Sequence, residues 1–259
     1  MKNKIIKILF VQFFLLFSAA NSFATPSRNL TIFAEPNMVL AMTKIAQLYS
    51  QKSNVIVAVN FNSSSESISN IDLGEPADIF VSAHSAWIEN LRQKGLVDVY
   101  NIGYIARDEI VLTTSKSNPT LPEELRGGKL SVEDSLKILN QNKSTLILDY
   151  DGNSSGKFTS ELVQNSDLLD LQLFKKLAED KSPILSILRS DPSQYALLLS
   201  SQIKNENDFQ ILATKRDDNI FYQALVIAGD NMEIAREFLK FLKSPAAKKI
   251  LLDSGFIVD

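Results

Sequence analysis

The stretch 61-FNSSSESISNIDLGEPADIFVSAH-84 decides how this chain is read. It begins where an apolar run, 54-NVIVAVNF-61, ends at Phe61. It then passes three consecutive serines, opens a helix near Glu66, and closes on a short apolar run, 78-DIFVSA-83. The same alternation holds on both sides. Upstream, 30-LTIFA-34 reads as a buried strand, 35-EPN-37 punctuates, and 38-MVLAMTKIAQLYSQ-51 carries Met38, Met42, Ile45 and Tyr49 at helical spacing. Downstream, a helix holds Trp87, Ile88 and Leu91. Strand, helix, strand, helix, strand predicts βαβ units around a mostly parallel sheet covered on both faces.

Beyond Leu96 the rhythm changes. A strand is expected at 108-DEIVLTT-114, then a loop with a short helix over 115-SKSNPTLPEELRGGK-129. A further strand, loop and helix follow in 146-LILDYDGNSSGKFTSELV-163, with helical patterns to about Leu188. Three β-like stretches come next: 195-YALLLSS-201, 209-FQILATK-215 and 221-FYQALVIAG-229. The tail 231-NMEIAREFLKFLKSPAAKKILLDSGF-256 reads as two amphipathic helices split at Ser244-Pro245, since proline suits a first helical position.

The 259 residues are 45% hydrophobic and 22% charged, an ordinary globular composition. Lys2, Lys4 and Lys7, the apolar run 8-ILFVQFFLLF-17 and the small residues of 18-SAANSFA-24 have the three-part form of a secretory signal peptide over 1–24. Its apolar run is shorter than the roughly 20 residues that span a bilayer. Without it the chain holds 24 basic and 30 acidic residues, a net charge of −6. That balance argues against a nucleic-acid partner. Cysteine is absent, which excludes disulfides, thiolate chemistry and a lipid anchor on cysteine.

The serine run lies where a strand turns into a helix. There the first N–H groups lack intrahelical partners and the helix dipole is positive, so the corner suits an anion. It equally suits a serine cap. A second corner of the same kind, 149-DYDGNSSGKF-158, places Asn153, Ser154 and Ser155 before another helix. Its Asp149, Asp151 and Asn153 have the spacing of a calcium loop, but Ser154 and Ser160 stand where that loop needs Gly and Glu. No G-x-S-x-G elbow supplies a nucleophile, so a covalent enzyme is not expected. His84, the single histidine, is read as a helix-start or surface residue. Asp78 is read as a structural cap on a neighbouring backbone group, and Trp87 as a helix–sheet contact.

In order and spacing, 30-LTIFAEPNMVLAM-42, 61-FNSSSESISNI-71, 75-EPADIFVSAHSAWI-88, 108-DEIVLTT-114, 154-SSGKF-158 and 239-LKFLKSPAAKKILLDSGF-256 resemble the periplasmic molybdate-binding proteins of ABC importers, within the two-lobed solute-binding proteins. The resemblance implies an α/β fold of two lobes, each a mixed, mostly parallel sheet flanked by helices, joined by two hinge crossings. Lobe 1 would comprise 25–106 and 221–259, and lobe 2 would comprise 107–220. A small oxyanion, molybdate or tungstate, would be held through its oxygens by neutral donors in the cleft. No metal ligand and no cofactor is implied. The carried-over contacts are Asn37, where the family has Ser, together with Ser64, Ser155 and a backbone donor near Lys181. The family's Tyr aligns with about Leu199, which has no hydroxyl. An ABC permease is the implied partner, the periplasm the implied location, and a monomer the expected state. Glu35, Asp149 and Asp151 oppose a dianion if they face the cleft, with Lys157 as a compensating charge. Together with Asn37 and Tyr150 they leave open a second reading, in which the same fold takes a polar organic solute or a cation.

Overall fold

The computed structural model describes residues 28–166, 174–176 and 184–258. The expected signal peptide and Lys181 lie outside them. Eight strands, β1 (Arg28–Ala34), β2 (Val55–Phe61), β3 (Ile79–Ser82), β4 (Val97–Ser115), β5 (Leu146–Leu148), β6 (Phe174–Lys176), β7 (Tyr195–Leu199) and β8 (Phe209–Ile227), form one sheet in the order β2-β1-β3-β8-β4-β7-β5-β6. The pairs β1·β2, β1·β3, β5·β7 and β5·β6 are parallel. The pairs that join them through β4 and β8 are antiparallel. The α/β class and the mixed, mostly parallel pairing therefore hold, with both halves laddered into a single sheet.

The strand expected at 108–114 and the two expected at 209–215 and 221–229 are parts of two strands of 19 residues each. The charged turn-like run 216-RDDN-219 hides this, because it interrupts the apolar pattern without ending the strand. The ladder does break there. Arg107 pairs with Phe221 and Glu109 with Arg216, so 217–220 oppose Asp108 alone.

Eight α-helices cover the sheet: α1 (Val39–Ser53), α2 (Ser64–Asp72), α3 (Ser85–Gln93), α4 (Val132–Gln141), α5 (Ser154–Asn165), α6 (Ile184–Ser190), α7 (Met232–Leu242) and α8 (Pro245–Asp253). Strand side chains alternate between faces. Leu30, Ile32 and Ala34 of β1 therefore join the cluster that holds Met42, Ile45 and Phe238, while Phe33 joins Ile68, Ile71, Ile88 and Leu91 of α2 and α3. In the other half, Ile147, Ala196 and Leu198 face Ile184 and Leu188 of α6, and their neighbours Leu146, Leu148, Tyr195 and Leu197 face the opposite way. Met38, Met42, Ile45 and Tyr49 are all buried, as their spacing predicts. Tyr49 meets Phe238 of α7 edge-on at 4.9 Å. Ser244 caps α8 by accepting from Ala247 N–H at 3.3 Å, with Pro245 in the first helical turn.

Candidate functional site

Three turns, each at the carboxyl end of a parallel strand, meet in one place. At the first, β1 ends and Glu35 stays extended (φ −69°, ψ 152°), as the residue before a proline must. Pro36 then starts the short turn Pro36–Met38 that feeds α1. At the second, Ser63 caps α2 by accepting from Glu66 N–H at 3.2 Å, which leaves Ser64 in the first helical turn. At the third, β5 turns into α5 through two glycines with no room for a side chain. A Cβ on Gly156 would lie 2.1 Å from the Tyr150 carbonyl oxygen, and one on Gly152 would lie 2.3 Å from Ser65 Oγ. The second and third turns touch directly, with Ser65 N–H donating to the Gly152 carbonyl at 3.1 Å.

Glu35 occupies the point where they converge. Its Oε1 accepts from Ser82 Oγ at 3.0 Å, Ser154 Oγ at 2.5 Å, Ser154 N–H at 3.2 Å and, closely, Ser64 Oγ. Ser154 Oγ is held in turn by the Ala83 and His84 N–H groups, at 3.2 and 2.9 Å. The carboxylate is thus seated on neutral donors at the starts of α2 and α5. Burial raises its pKa, and the bonds from Ser154, Ser64 and Ser82 pull it back down.

A second polar group adjoins the first. Asn37 Nδ2 donates to Tyr222 Oη and to Ser201 Oγ, the latter at 3.1 Å. Asp108 Oδ1 accepts from Ser200 Oγ at 2.7 Å, Glu109 N–H at 2.9 Å and Ser201 N–H at 3.3 Å. Its Oδ2 is buried with no partner among the described residues. Burial pushes the Asp108 pKa up to about 6. Tyr222 is raised as well, by burial first and then by the nearby Glu35 and Asp108 carboxylates.

In front of these groups lies a cavity of about 450 Å³. Glu35, Asn37, Val39 and Leu40 line one side, and Asp149, Ser155, Leu185, Gln202 and Glu206 line the other. Among the described residues no Lys or Arg lines it. Ser155 Oγ donates to Gln202 Oε1 at 2.7 Å, and Gln202 Nε2 donates to Asp149 Oδ2 at 3.1 Å.

Asn37 and Ser155, singled out from the sequence, therefore both line the cavity. Ser64 is fully buried behind Glu35, with its hydroxyl on that carboxylate. Leu199 sits in the core. A tyrosine hydroxyl does reach the Asn37 group, but from Tyr222 on β8. Of the acids in question, Glu35 and Asp149 line the cavity, whereas Asp151 is turned to α5, where Ser160 Oγ donates to it at 2.7 Å. Lys157 does not offset them, since its Nζ lies 5.6 Å over the Trp87 ring. His84 starts α3 as expected, accepting from Ala86 N–H through Nδ1 at 3.2 Å, but it is buried, with Nε2 at 3.1 Å from Glu161. Asp78 caps Thr31 N–H at 2.6 Å. Sequence reasoning passed over Ser82, Asp108, Ser201, Gln202 and Tyr222, and named Ser154 only as part of the second corner, without its acceptor Glu35.

Two half-sheets flanked by helices, with strand ends and helix starts turned toward a shared cavity, define a protein that holds a solute between two lobes. The sequence agrees: residues 30–257 match the family model of bacterial extracellular solute-binding proteins, and the chain belongs to that family. It is similar to the molybdate-binding protein ModA of Escherichia coli (strain K12), 24% identical over 265 residues that cover 96% of this chain and 97% of the relative. It is also similar to ModA of Haemophilus influenzae, 26% identical over 250 residues that cover 91% and 92%. In fold it is similar to the tungstate ABC transporter structure from Geobacter sulfurreducens. That likeness has a TM-score of 0.71 at 14% identity, covering 87% of this chain and 98% of the other.

Proposed function

We propose that this protein is the periplasmic solute-binding component of an ABC importer, exported by the signal peptide 1–24, and that it captures a small oxyanion of the molybdate or tungstate kind. The observation that carries this reading is the seat of Glu35. Donors from positions 64, 82 and 154 converge on a single oxygen of Glu35, so the fold seats an anionic oxygen on neutral groups beside a cavity that Glu35 lines, and this supports the oxyanion reading. Asn37 and Ser155, which line that cavity, supply further contacts, and the resemblance adds a backbone donor near Lys181. The lobes are 25–106 with 221–259, and 107–220. They meet where the β4·β8 register breaks, between Arg107–Phe221 and Glu109–Arg216. The solute favours the closed arrangement because only there are donors of both lobes satisfied together.

One observation favours the second reading, a cation or a polar organic solute. The cavity carries Glu35, Asp149 and Glu206 with no Lys or Arg among the described residues. A unit charge 4 Å from an ionised carboxylate is repelled or attracted by about 4 kcal/mol at an effective dielectric near 20. A thermal-shift panel separates the two readings. Ligand at 100 times its dissociation constant adds about 2.7 kcal/mol of stability. The oxyanion reading expects molybdate or tungstate to raise the melting temperature, with Ca²⁺, Fe³⁺ and amino acids without effect. Stabilisation by a cation or an amino acid alone overturns it.

A further inference from the structure

We propose that Glu35 takes part in solute binding as a neutral acid, so that wherever it is ionised in the free protein, capture of an oxyanion brings a proton into the site; this rests on the oxyanion reading above. Four donors fix one oxygen of the side chain, Oε1. No described residue donates to Oε2, and Glu35 lines the cavity. One oxygen is thus committed to the fold, while the other has no donor among the described residues and belongs to a residue that lines the cavity. An ionised Oε2 repels an oxyanion, whereas a protonated one donates a hydrogen bond to it and adds to the contacts from Asn37 and Ser155. The proton comes either from water or with the anion itself, and the balance is the same: anion and proton enter together. Glu35 is then a specificity-determining residue, which a purely neutral receptor lacks.

The charged and titratable groups around it act in one direction. Asp108 of β4 is a second buried acid, Asp149 and Glu206 line the same cavity, and Tyr222 of β8 carries no positive charge. His84, before α3, turns its ring to Glu161 and offers the site only its backbone N–H, on Ser154. Lys157 of α5 is over Trp87. Nothing among the described residues stabilises the ionised form of Glu35 by charge, and burial already favours the protonated form.

The test is calorimetric titration of the ligand-free protein with molybdate, tungstate and sulfate from pH 5.5 to 8, in two buffers of different ionisation enthalpy, for the wild type and Glu35→Gln. Sulfate serves because its own protonation lies far below this range. The wild type is expected to take up no proton well below the Glu35 pKa and to approach one proton per anion above it, where its affinity falls about tenfold per pH unit. Glu35→Gln keeps a donor at the cavity without the charge. It is expected to bind tighter than wild type at pH 8 and to lose the pH dependence. Binding without proton uptake, at an affinity independent of pH in the wild type, overturns the role of Glu35 while the oxyanion reading stands. This wild-type arm decides even if the variant folds poorly. Failure of every anion with both proteins at every pH overturns the oxyanion reading, and this inference with it.

Discussion

Glu35 and Asp108 are both buried carboxylates, and they are held in opposite ways. Glu35 draws its donors from α2, β3 and α5, which are 29, 47 and 119 residues away in sequence. Asp108 draws its donors from its own neighbour Glu109 and from the turn Ser200–Gln202. The first arrangement exists only when both halves of the fold are in place, and its free oxygen belongs to a residue on the cavity. The second clamps the strand crossing, and its free oxygen is sealed in protein. Burial raises the pKa of both. The difference teaches that similar desolvation serves two ends: a seat shared with a solute at Glu35, and a structural latch at Asp108.

The sharpest way to break this contrast is Ser154→Ala. It removes one donor from Glu35 and leaves the Ala83 and His84 N–H groups without their acceptor, a loss of about 3 kcal/mol in urea unfolding. A change below about 1 kcal/mol would mean that the seat adds little to the fold. The latch is read through pH. Asp108 moves from 3.8 to about 6 on folding, so the folded chain binds more protons than the unfolded chain across that window. Stability is full below it and falls as pH rises through about 6, by about 3 kcal/mol in all. Glu35, also raised, adds a loss of the same sign. Asp108→Asn is expected to flatten the profile by the Asp108 share, and an unchanged profile would remove Asp108 as its source. Ser64→Ala, which takes a second donor from Glu35, is expected to cost about 2 kcal/mol in urea unfolding and, by raising the Glu35 pKa further, to tighten oxyanion binding at pH 8. The smallest effect is Ser63→Ala, the loss of a helix cap worth about 1 kcal/mol, with anion affinity unchanged. Equal binding effects at 63 and 64 would erase the distinction between cap and seat.

The fold was largely legible because its signals are local. Period-two and period-3.6 patterns mark β1, α1, β2 and β3, and each strand-to-helix corner announces itself by serines, glycine or proline. What the sequence withheld is tertiary. A run of serines advertises donors and says nothing of the acceptor, so Glu35 read as a charge opposed to the ligand and not as the group already seated among the hydroxyls. Tyr222 escaped notice because alignment by position led to Leu199, whereas the hydroxyl arrives from a strand paired through β4. The length of β4 and β8 was hidden by 216-RDDN-219, whose charges break the pattern while the backbone continues.

That continuity has a mechanical consequence. The two halves are tied by a hydrogen-bonded ribbon and not by slack tether, so they cannot slide past or pull away from each other without tearing its ladder. A ribbon of this kind is stiff along its length and yields chiefly by flexing and twisting at its irregular points, among them the four unmatched residues 217–220. Opening and shutting in the proposed cycle is then confined to bending and twisting of this ribbon, not to free drift of one half from the other.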